Sequence, residues 1–437
     1  MVEIIEVHLW GRMIGVLAQQ GSNISFSYDE EFQRSGIELS PLVMPLGKGV
    51  YSFPRLNPET FKGLPPPIAD SLPDHYGTQL INRWLTMNGR PLHSITPLER
   101  LAYMGNRGMG AFEYHPSHHP NLEVAQKIEI SSLVEMAKEI LNQRNSLSIS
   151  LDKDDHGKFE ALRHLIQVGT SAGGARAKAV IAYNEETKEM RSGQTDAPNG
   201  FSQYLMKFDG FSGTGGDGSD NPHGFGAIEY VYHLMARRAG IEMMDCQIIK
   251  ENGRKHFMTR RFDRVGIHKI HTQTLCAFAN ADYNAQRILG YENVFAILED
   301  LNFSYKDKEQ LFLRMLFNVM ACNHDDHTKN FSFCMNKQGV WSISPAYDIC
   351  YSYNPNRSSW VHQHQMTINN KAEHFELKDF EPIAKRFFIK KWKNLYESVR
   401  GSLKDWSDLA HEQRVEGEMV EEINNNFVLV HNPGTTK

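Results

Sequence analysis

No stretch of this chain approaches the roughly 18 consecutive apolar residues that a membrane-spanning helix needs, so no membrane role is read from it. Cysteine is scarce. Cys246, Cys276, Cys322, Cys334 and Cys350 are an odd number with no C-x-x-C pair, which favours reduced, packed thiols over a disulfide frame or a zinc site. An excess of positive charge is also missing: 52 acidic side chains outnumber 47 basic ones, so no global field draws the chain toward nucleic acid. The opening MVEIIEVHLWGRMIGVL is acidic and alternating, unlike the basic-then-apolar pattern of a secretory signal, and together with the thiols it predicts a cytoplasmic location. No internal repeat is found. What remains is an ordinary globular composition, 41% hydrophobic, on a chain of 437 residues that is long enough for two or three domains with cores of their own.

Residues 1–115 read as one unit with strands at both ends. Ile4 to Leu9, Met13 to Leu17 and Ile24 to Tyr28 alternate or cluster apolar residues between Gly and Asn turns, and GMGAFEYHP reads as a closing strand. HYGTQLINRWLTMNG and LERLAYMGN carry helical spacing between them. HPSHHPN at 115–121 reads as a linker. Beyond it, SSLVEMAKEILNQR predicts a helix with a capping box from Ser132 to Glu135, and FEALRHLIQV another. AVIAYN and SQYLMKFDG read as strands, GFSGTGGDGSDNPHG as a polar loop, and GAIEYVYHLMARRAG as a helix stopped by Gly240. DCQIIKENG and KHFMTRRFDR look like a hairpin joined at Asn252-Gly253. From 273 onward the pattern is mostly helical, and DKEQLFLRMLFNVMAC leads into the most informative segment of the chain.

That segment is ACNHDDHTKN followed by FSFCMNKQGVWSISPAYDIC. Asp325 precedes Asn330 by five residues, and Asp348 follows after two short strands around Lys337-Gln338-Gly339, a hairpin that would return Asp348 toward Asn330. Phosphoryl transfer uses such a set: one Asp takes the proton of the acceptor hydroxyl, and an Asn and a later Asp hold metal ions on the ATP phosphates. Taken alone, D-x-H-x-x-N is equally compatible with a solvated loop after a helix. Upstream, Gly169-Thr170-Ser171-Ala172-Gly173-Gly174 is a turn whose backbone N–H groups can approach phosphate without Cβ obstruction. Lys207, flanked by apolar residues at the end of a strand, would pair with the α- and β-phosphates, and Glu229 on the next helix would hold it. A surface lysine and a solvated glutamate are the plainer alternatives.

In this order the motifs resemble one family, the HipA-like serine/threonine kinases of bacterial toxin–antitoxin systems. The residues carrying the resemblance are GMGAFEYHP, TSAGGARAK, YLMKF, RRFDR, HDDHTKN and PAYDI, spread over nearly the full length. The resemblance implies an α+β, bilobal, divergent protein-kinase-like fold. Its parts would be an amino-terminal subdomain at 1–115, a kinase N-lobe region at 116–265 and a mostly helical C-lobe at 266–437. It implies ATP and Mg²⁺ as cofactors, Asp325 as catalytic base, and Asn330 and Asp348 as metal ligands, with Asn330 also at the nucleotide. His327 would either contact the transferring phosphate or brace the loop. Nucleotide binding would further involve Ser171, Ala172, Gly173, Gly174, Ala175 and Lys207. The backbone from Arg260 to Phe262 would read adenine, while the Phe262, Asp263 and Arg264 side chains fix the lobe connection.

Ser171, seven residues before Lys178, falls where the family is autophosphorylated, with Thr170 as the alternative hydroxyl. Phosphate there would add about −1.5 to −2 charges beside the triphosphate and expel the loop, an off switch. The loop departs from some relatives by carrying Arg176 and Ala177 in place of Gln and Glu. The implied activity is transfer of the ATP γ-phosphate to a serine of a translation component such as an aminoacyl-tRNA synthetase. The implied partner is a small helix-turn-helix antitoxin, HipB-like, through which alone DNA would be contacted. Two alternatives are a catalytically weak co-repressor or scaffold in a toxin–antitoxin DNA complex, and a small-molecule kinase. The full set of expected catalytic residues counts against the first, and the match of residues 1–115 to the toxin family counts against the second.

Overall fold

The computed structural model describes residues 3–73, 75–87, 89, 91, 95–117, 130–131, 177–193, 197–210 and 224–430. The expected helices at SSLVEMAKEILNQR and FEALRHLIQV, the Gly-rich turn at 169–174 and most of the 210–224 loop lie outside these residues. The chain forms two compact units, one of residues 1–226 and 247–271, the other of residues 227–246 and 272–437.

The first unit holds two sheets. β1 (Ile4–Leu9), β2 (Arg12–Gln20), β3 (Asn23–Tyr28), β4 (Val50–Ser52) and β5 (Phe112–His115) form an antiparallel sheet in the order β4-β3-β2-β1-β5. Its register follows the alternation of the sequence: Ile5, Val7 and Leu9 are buried while Ile4 and Glu6 face outward, and Ile5 pairs with Leu17 and Leu17 with Phe26. The helix Pro97–Met104 begins at a Thr96–Glu99 capping box and buries Leu98, Leu101 and Met104.

The second sheet comprises β6 (Lys178–Tyr183), β7 (Met190–Ser192), β8 (Ser202–Lys207), β9 (Cys246–Glu251) and β10 (Arg254–Arg260), ordered β7-β6-β8-β10-β9. β6 is buried along its whole length, as expected of AVIAY between two neighbours. Asn252 and Gly253 both adopt positive φ, 44° and 81°, which gives β9 and β10 the tight hairpin that Asn-Gly predicts. The helix Phe225–Arg238 starts close against this sheet: a Cβ on Gly226 would lie 1.9 Å from the Lys255 carbonyl oxygen, so a larger residue there displaces backbone. Asp209 organises this start, its carboxylate accepting from the backbone N–H of Gly224 at 3.1 Å and of Lys255 at 3.3 Å.

The second unit is mostly helical around one core. The helix Tyr305–Met320 opens on a Ser304–Asp307 capping box and is buried on all sides from Gln310 to Met320. Around it pack Tyr232 and Met235, Phe295 and Leu298, Val399 and Leu403, and Trp406, which is fully buried and donates its indole N–H to the Val420 carbonyl at 3.0 Å. Truncating a side chain of that size in such a core costs about 3–5 kcal/mol. The chain after Asn426 returns beneath the same helix, Val428 N–H bonding the Met320 carbonyl at 3.0 Å. The expected hairpin is present as β12 (Ser332–Met335) and β13 (Trp341–Ile343), with β11 (His271–Thr274) beside β12. All five cysteines are free thiols. Cys322 is buried, its thiol pushed up to about 12 by that burial, and it donates to the Asn426 carbonyl, a packing role as expected. Among the described residues no helix is long and apolar enough to cross a membrane.

Candidate active site

The helix Tyr305–Met320 ends where Cys322 turns to φ 52°, and the chain leaves it as the loop Asn323–Asn330. Alternation along this loop sends neighbouring side chains to opposite sides. Asp326 goes inward, and nothing of its side chain is exposed. Its carboxylate accepts from the Tyr291 hydroxyl at 2.9 Å and the Gln365 N–H at 2.7 Å, and lies 3.1 Å from His364 Nδ1. Asn318 amide N–H bonds the Tyr291 oxygen, and Asn323 amide N–H bonds Asn318 Oδ1, so a buried chain of polar groups carries the order of the helix into the loop. His324 packs against His364 with ring centres 4.1 Å apart and planes tilted by 38°, and burial, then His364, lowers its pKa to about 3. The ring is therefore neutral and donates from Nδ1 to the His362 carbonyl, which can only accept.

Asp325 goes outward, with 39% of its side chain exposed. Its Oδ1 accepts the Trp360 indole N–H at 3.1 Å and lies 3.8 Å from His327 Nε2. His327 Nδ1 accepts from the Lys329 N–H, so the neutral ring carries its proton on the nitrogen that faces Asp325. A single helical turn, Thr328–Asn330, then brings Asn330 back so that its amide N–H bonds the Asp325 carbonyl oxygen at 2.7 Å. That bond fixes the amide's orientation and leaves Oδ1 as the oxygen it could offer a cation.

The β12–β13 hairpin does return Asp348 to this place. Asn330 and Asp348 line one small cleft together with Asp326, Asn318, Asn323 and Arg314. Asp348 stands in the left-handed region at φ 52°, uncommon for a residue with a side chain and often held by its surroundings at functional sites. Tyr347, its neighbour, bonds the Lys329 carbonyl and pins the segment to the loop. Burial lowers Arg314 to about 10, so it stays protonated at neutral pH, and its guanidinium donates to the Ser344 carbonyl.

The donor set suits a hard cation. Among the described residues no group of three His, Cys, Asp or Glu side chains can hold a metal by itself. Asn330 Oδ1 with an Asp348 carboxylate would offer the kind of sparse oxygen pair that suits Mg²⁺ when phosphates and water complete its shell.

In the first unit, Lys207 ends β8 with its ammonium 5.8 Å from the centre of the Phe257 ring. Lys178 pairs directly with Lys207 in the β6–β8 register and is only 2% exposed. Residues paired in this way project from one face, so the two lysines are neighbours on the sheet. The sequence reading passed over Lys178, although a lysine opening a wholly apolar strand after a Gly-rich turn was the signal. Arg260 closes β10 and Phe262 follows it. Next to them Asp263 is fully buried. Burial works against its charge, but two bonds from the Arg261 guanidinium at 2.8 and 2.7 Å and one from Arg264 at 2.7 Å hold the carboxyl well below the usual range. Asp263 also accepts the Gly110 N–H at 2.8 Å, and Arg264 donates to the Gly108 and Gly110 carbonyls, so RRFDR is stitched to GMG of the first sheet. Thr170, Ser171, Ala172, Gly173, Gly174 and Ala175 lie outside the described residues.

Residues 5–115 match the HipA N-terminal domain and residues 170–425 the HipA-like C-terminal domain. Among solved structures, HipA of the Shewanella oneidensis MR-1 toxin–antitoxin system, determined in complex with HipB and its operator DNA, superposes with a TM-score of 0.63 at 18% identity, covering 96% of this chain and 95% of that one. The Helicobacter pylori proinflammatory kinase CtkA aligns with a TM-score of 0.36 at 14% identity, over 59% of this chain and 91% of that one. The β-rich amino-terminal part and helical carboxy-terminal part expected from the sequence are borne out. With both of its domains matched across most of the length, the chain belongs to the HipA family.

Proposed function

We propose that the chain is the toxin kinase of a toxin–antitoxin pair, transferring the ATP γ-phosphate to a serine or threonine hydroxyl of a protein. The observation that carries this reading is that Asn330, bonded through its amide to the Asp325 backbone carbonyl at 2.7 Å, shares a cleft with Asp348, while the Asp325 carboxylate stands exposed on the same loop. Asp325 accepts the proton of the attacking hydroxyl, and its exposure leaves it reachable by an acceptor from outside. Asn330 Oδ1 and the Asp348 carboxylate would hold Mg²⁺, which when bound supplies neutralisation of phosphate charge. His327 braces the Asp325 side of the loop. Lys178 and Lys207 are the cations this reading gives to the triphosphate, and Ser171 to Ala175 and the Arg260–Phe262 backbone keep the nucleotide-binding roles that the family resemblance implies. The region boundaries at 115 and 265 serve this reading as the limits of the amino-terminal subdomain and the nucleotide-binding part.

A HipB-like helix-turn-helix antitoxin is the partner this reading requires, as in the Shewanella complex. The net charge of −5 agrees with DNA contact being left to that partner. The proposed acceptor is a translation component such as an aminoacyl-tRNA synthetase, in the cytoplasm. Phosphorylation at Ser171, or at Thr170, would shut the enzyme off by charge repulsion.

Intact mass and phosphopeptide mapping after incubation with Mg²⁺ and ATP, beside Asp325→Ala, test the reading. One phosphate gained at Ser171 or Thr170 only when Asp325 is present is the expected result. Equal labelling of both proteins refutes the assignment of the base.

A further inference from the structure

The segment that follows Asp348 is clamped onto the catalytic loop at both ends. At its start, Ser352 N–H bonds the Cys322 carbonyl at 3.0 Å and His324 N–H bonds the Ser352 carbonyl at 3.1 Å. At its end, His364 and the Gln365 N–H engage the buried Asp326 carboxylate, and His324 engages the His362 carbonyl. Between the clamps the exposed tip Asn354–Ser358 is closed by Asn354 N–H to the Val361 carbonyl. Trp360 sits on the inner limb, where Gln365 Nε2 holds its carbonyl at 2.6 Å. With its backbone held in this way, Trp360 presents its indole to Asp325 from a fixed place on the loop.

Resting on the kinase reading above, we infer that Trp360 is a positioning residue for the base and that Asp325 Oδ2 is the atom that takes the acceptor proton. Oδ1 is committed: the Trp360 N–H donates to it at 3.1 Å, and the protonated Nε2 of His327 faces it at 3.8 Å. Oδ2 takes no hydrogen bond among the described residues, and the side chain is 39% exposed. In the step itself the acceptor oxygen bonds to the γ-phosphorus, the bond from that phosphorus to the β–γ bridging oxygen breaks, ADP leaves with that electron pair, and the hydroxyl proton moves to Oδ2. Trp360 restricts rotation of the carboxylate so that Oδ2 meets the hydroxyl without first reorienting.

The test compares wild type, Trp360→Phe, Asp325→Asn and the double variant in single-turnover transfer from labelled Mg·ATP, with the chain itself and dephosphorylated casein as acceptors. Nucleotide affinity and melting temperature are measured on the same preparations. Trp360→Phe removes the N–H and keeps an aromatic ring. The expected result is a transfer rate about 10-fold lower, the scale of a lost hydrogen bond to a charged group, with nucleotide affinity unchanged. In the Asp325→Asn background the same change has less than about 2-fold effect. A wild-type rate in Trp360→Phe, or a loss matched by weaker nucleotide binding and lower melting temperature, overturns the inference. No transfer by wild type to either acceptor overturns the kinase reading. A readout independent of activity is the indole N–H spectrum of the six tryptophans. Asp325→Ala should shift one indole resonance, that absent from Trp360→Phe, and an unmoved set of six contradicts the contact itself.

Discussion

Asp325 and Asp326 are neighbours with the same side chain, and the fold uses them in opposite ways. Asp326 has nothing of its side chain exposed and is engaged by Tyr291, His364 and the backbone of Gln365, while Asp325 is 39% exposed and engaged on one oxygen. The inward face of the loop resembles a polar core, in which the Asp326 carboxylate is held by three donors and their loss is felt in stability. The outward face has capacity left over, which is what chemistry on a substrate needs. Rigidity on one side is what allows an exposed carboxylate on the other to be held in place.

Four substitutions or conditions break or sharpen that contrast, from the largest effect to the smallest. Asp326→Ala strands the Tyr291 hydroxyl, the Gln365 N–H and His364 in the interior at about 1–3 kcal/mol each. Urea unfolding should therefore show a loss of about 3 kcal/mol or more, and a loss below about 1 kcal/mol would mean that the inward network is dispensable. Asp325→Asn should leave that unfolding curve in place and slow phosphoryl transfer by about 10² or more, the scale of a removed general base.

Asp348→Ala should weaken nucleotide binding about 10-fold in Mg²⁺ and little in EDTA, in line with loss of one charged ligand. Isothermal titration in both buffers decides this, and equal affinities for wild type and variant throughout would remove Asp348 from the metal site.

The smallest effect is on pH dependence. His324 is held neutral by burial with its pKa near 3, against about 6.5 when unfolded. As pH falls below 6.5 the unfolded chain takes up a proton that the folded chain refuses. Stability is thus lost progressively between pH 6.5 and 3, by at most about 1.4 kcal/mol per pH unit from this residue, and not further below. Unfolding curves at pH 7.5, 6 and 5 should show a shallower slope for His324→Gln than for wild type. Identical slopes would place the buried charge cost elsewhere, for example at His271, whose pKa burial also lowers to about 3.

Local grammar made much of this legible. The turns at Asn252-Gly253 and Lys337-Gln338-Gly339, the strands of alternating residues and the spacing from Asp325 to Asn330 to Asp348 are all properties of short windows, and the structure follows them. The inward face of the loop was not legible. Asp326 meets partners about 35 residues away on each side, Tyr291 before it and His364 after it, and no periodicity marks such pairs. Trp360 was missed for the same reason, since an indole in a polar loop carries no sign of which carboxylate it will meet. Lys178 could have been found, because a buried lysine paired with Lys207 is implied once both strands are aligned. The three-residue strands Val50–Ser52 and Met190–Ser192 exist because a neighbouring edge offers hydrogen bonds, not because their own residues demand it.

The most direct test of the account is the rate of γ-phosphate transfer from Mg·ATP by wild type and Asp325→Asn under single-turnover conditions, with nucleotide affinity measured on the same samples. The account predicts transfer by wild type, a loss of about 10² or more in the variant, and equal affinities. Transfer at the wild-type rate in Asp325→Asn would contradict it.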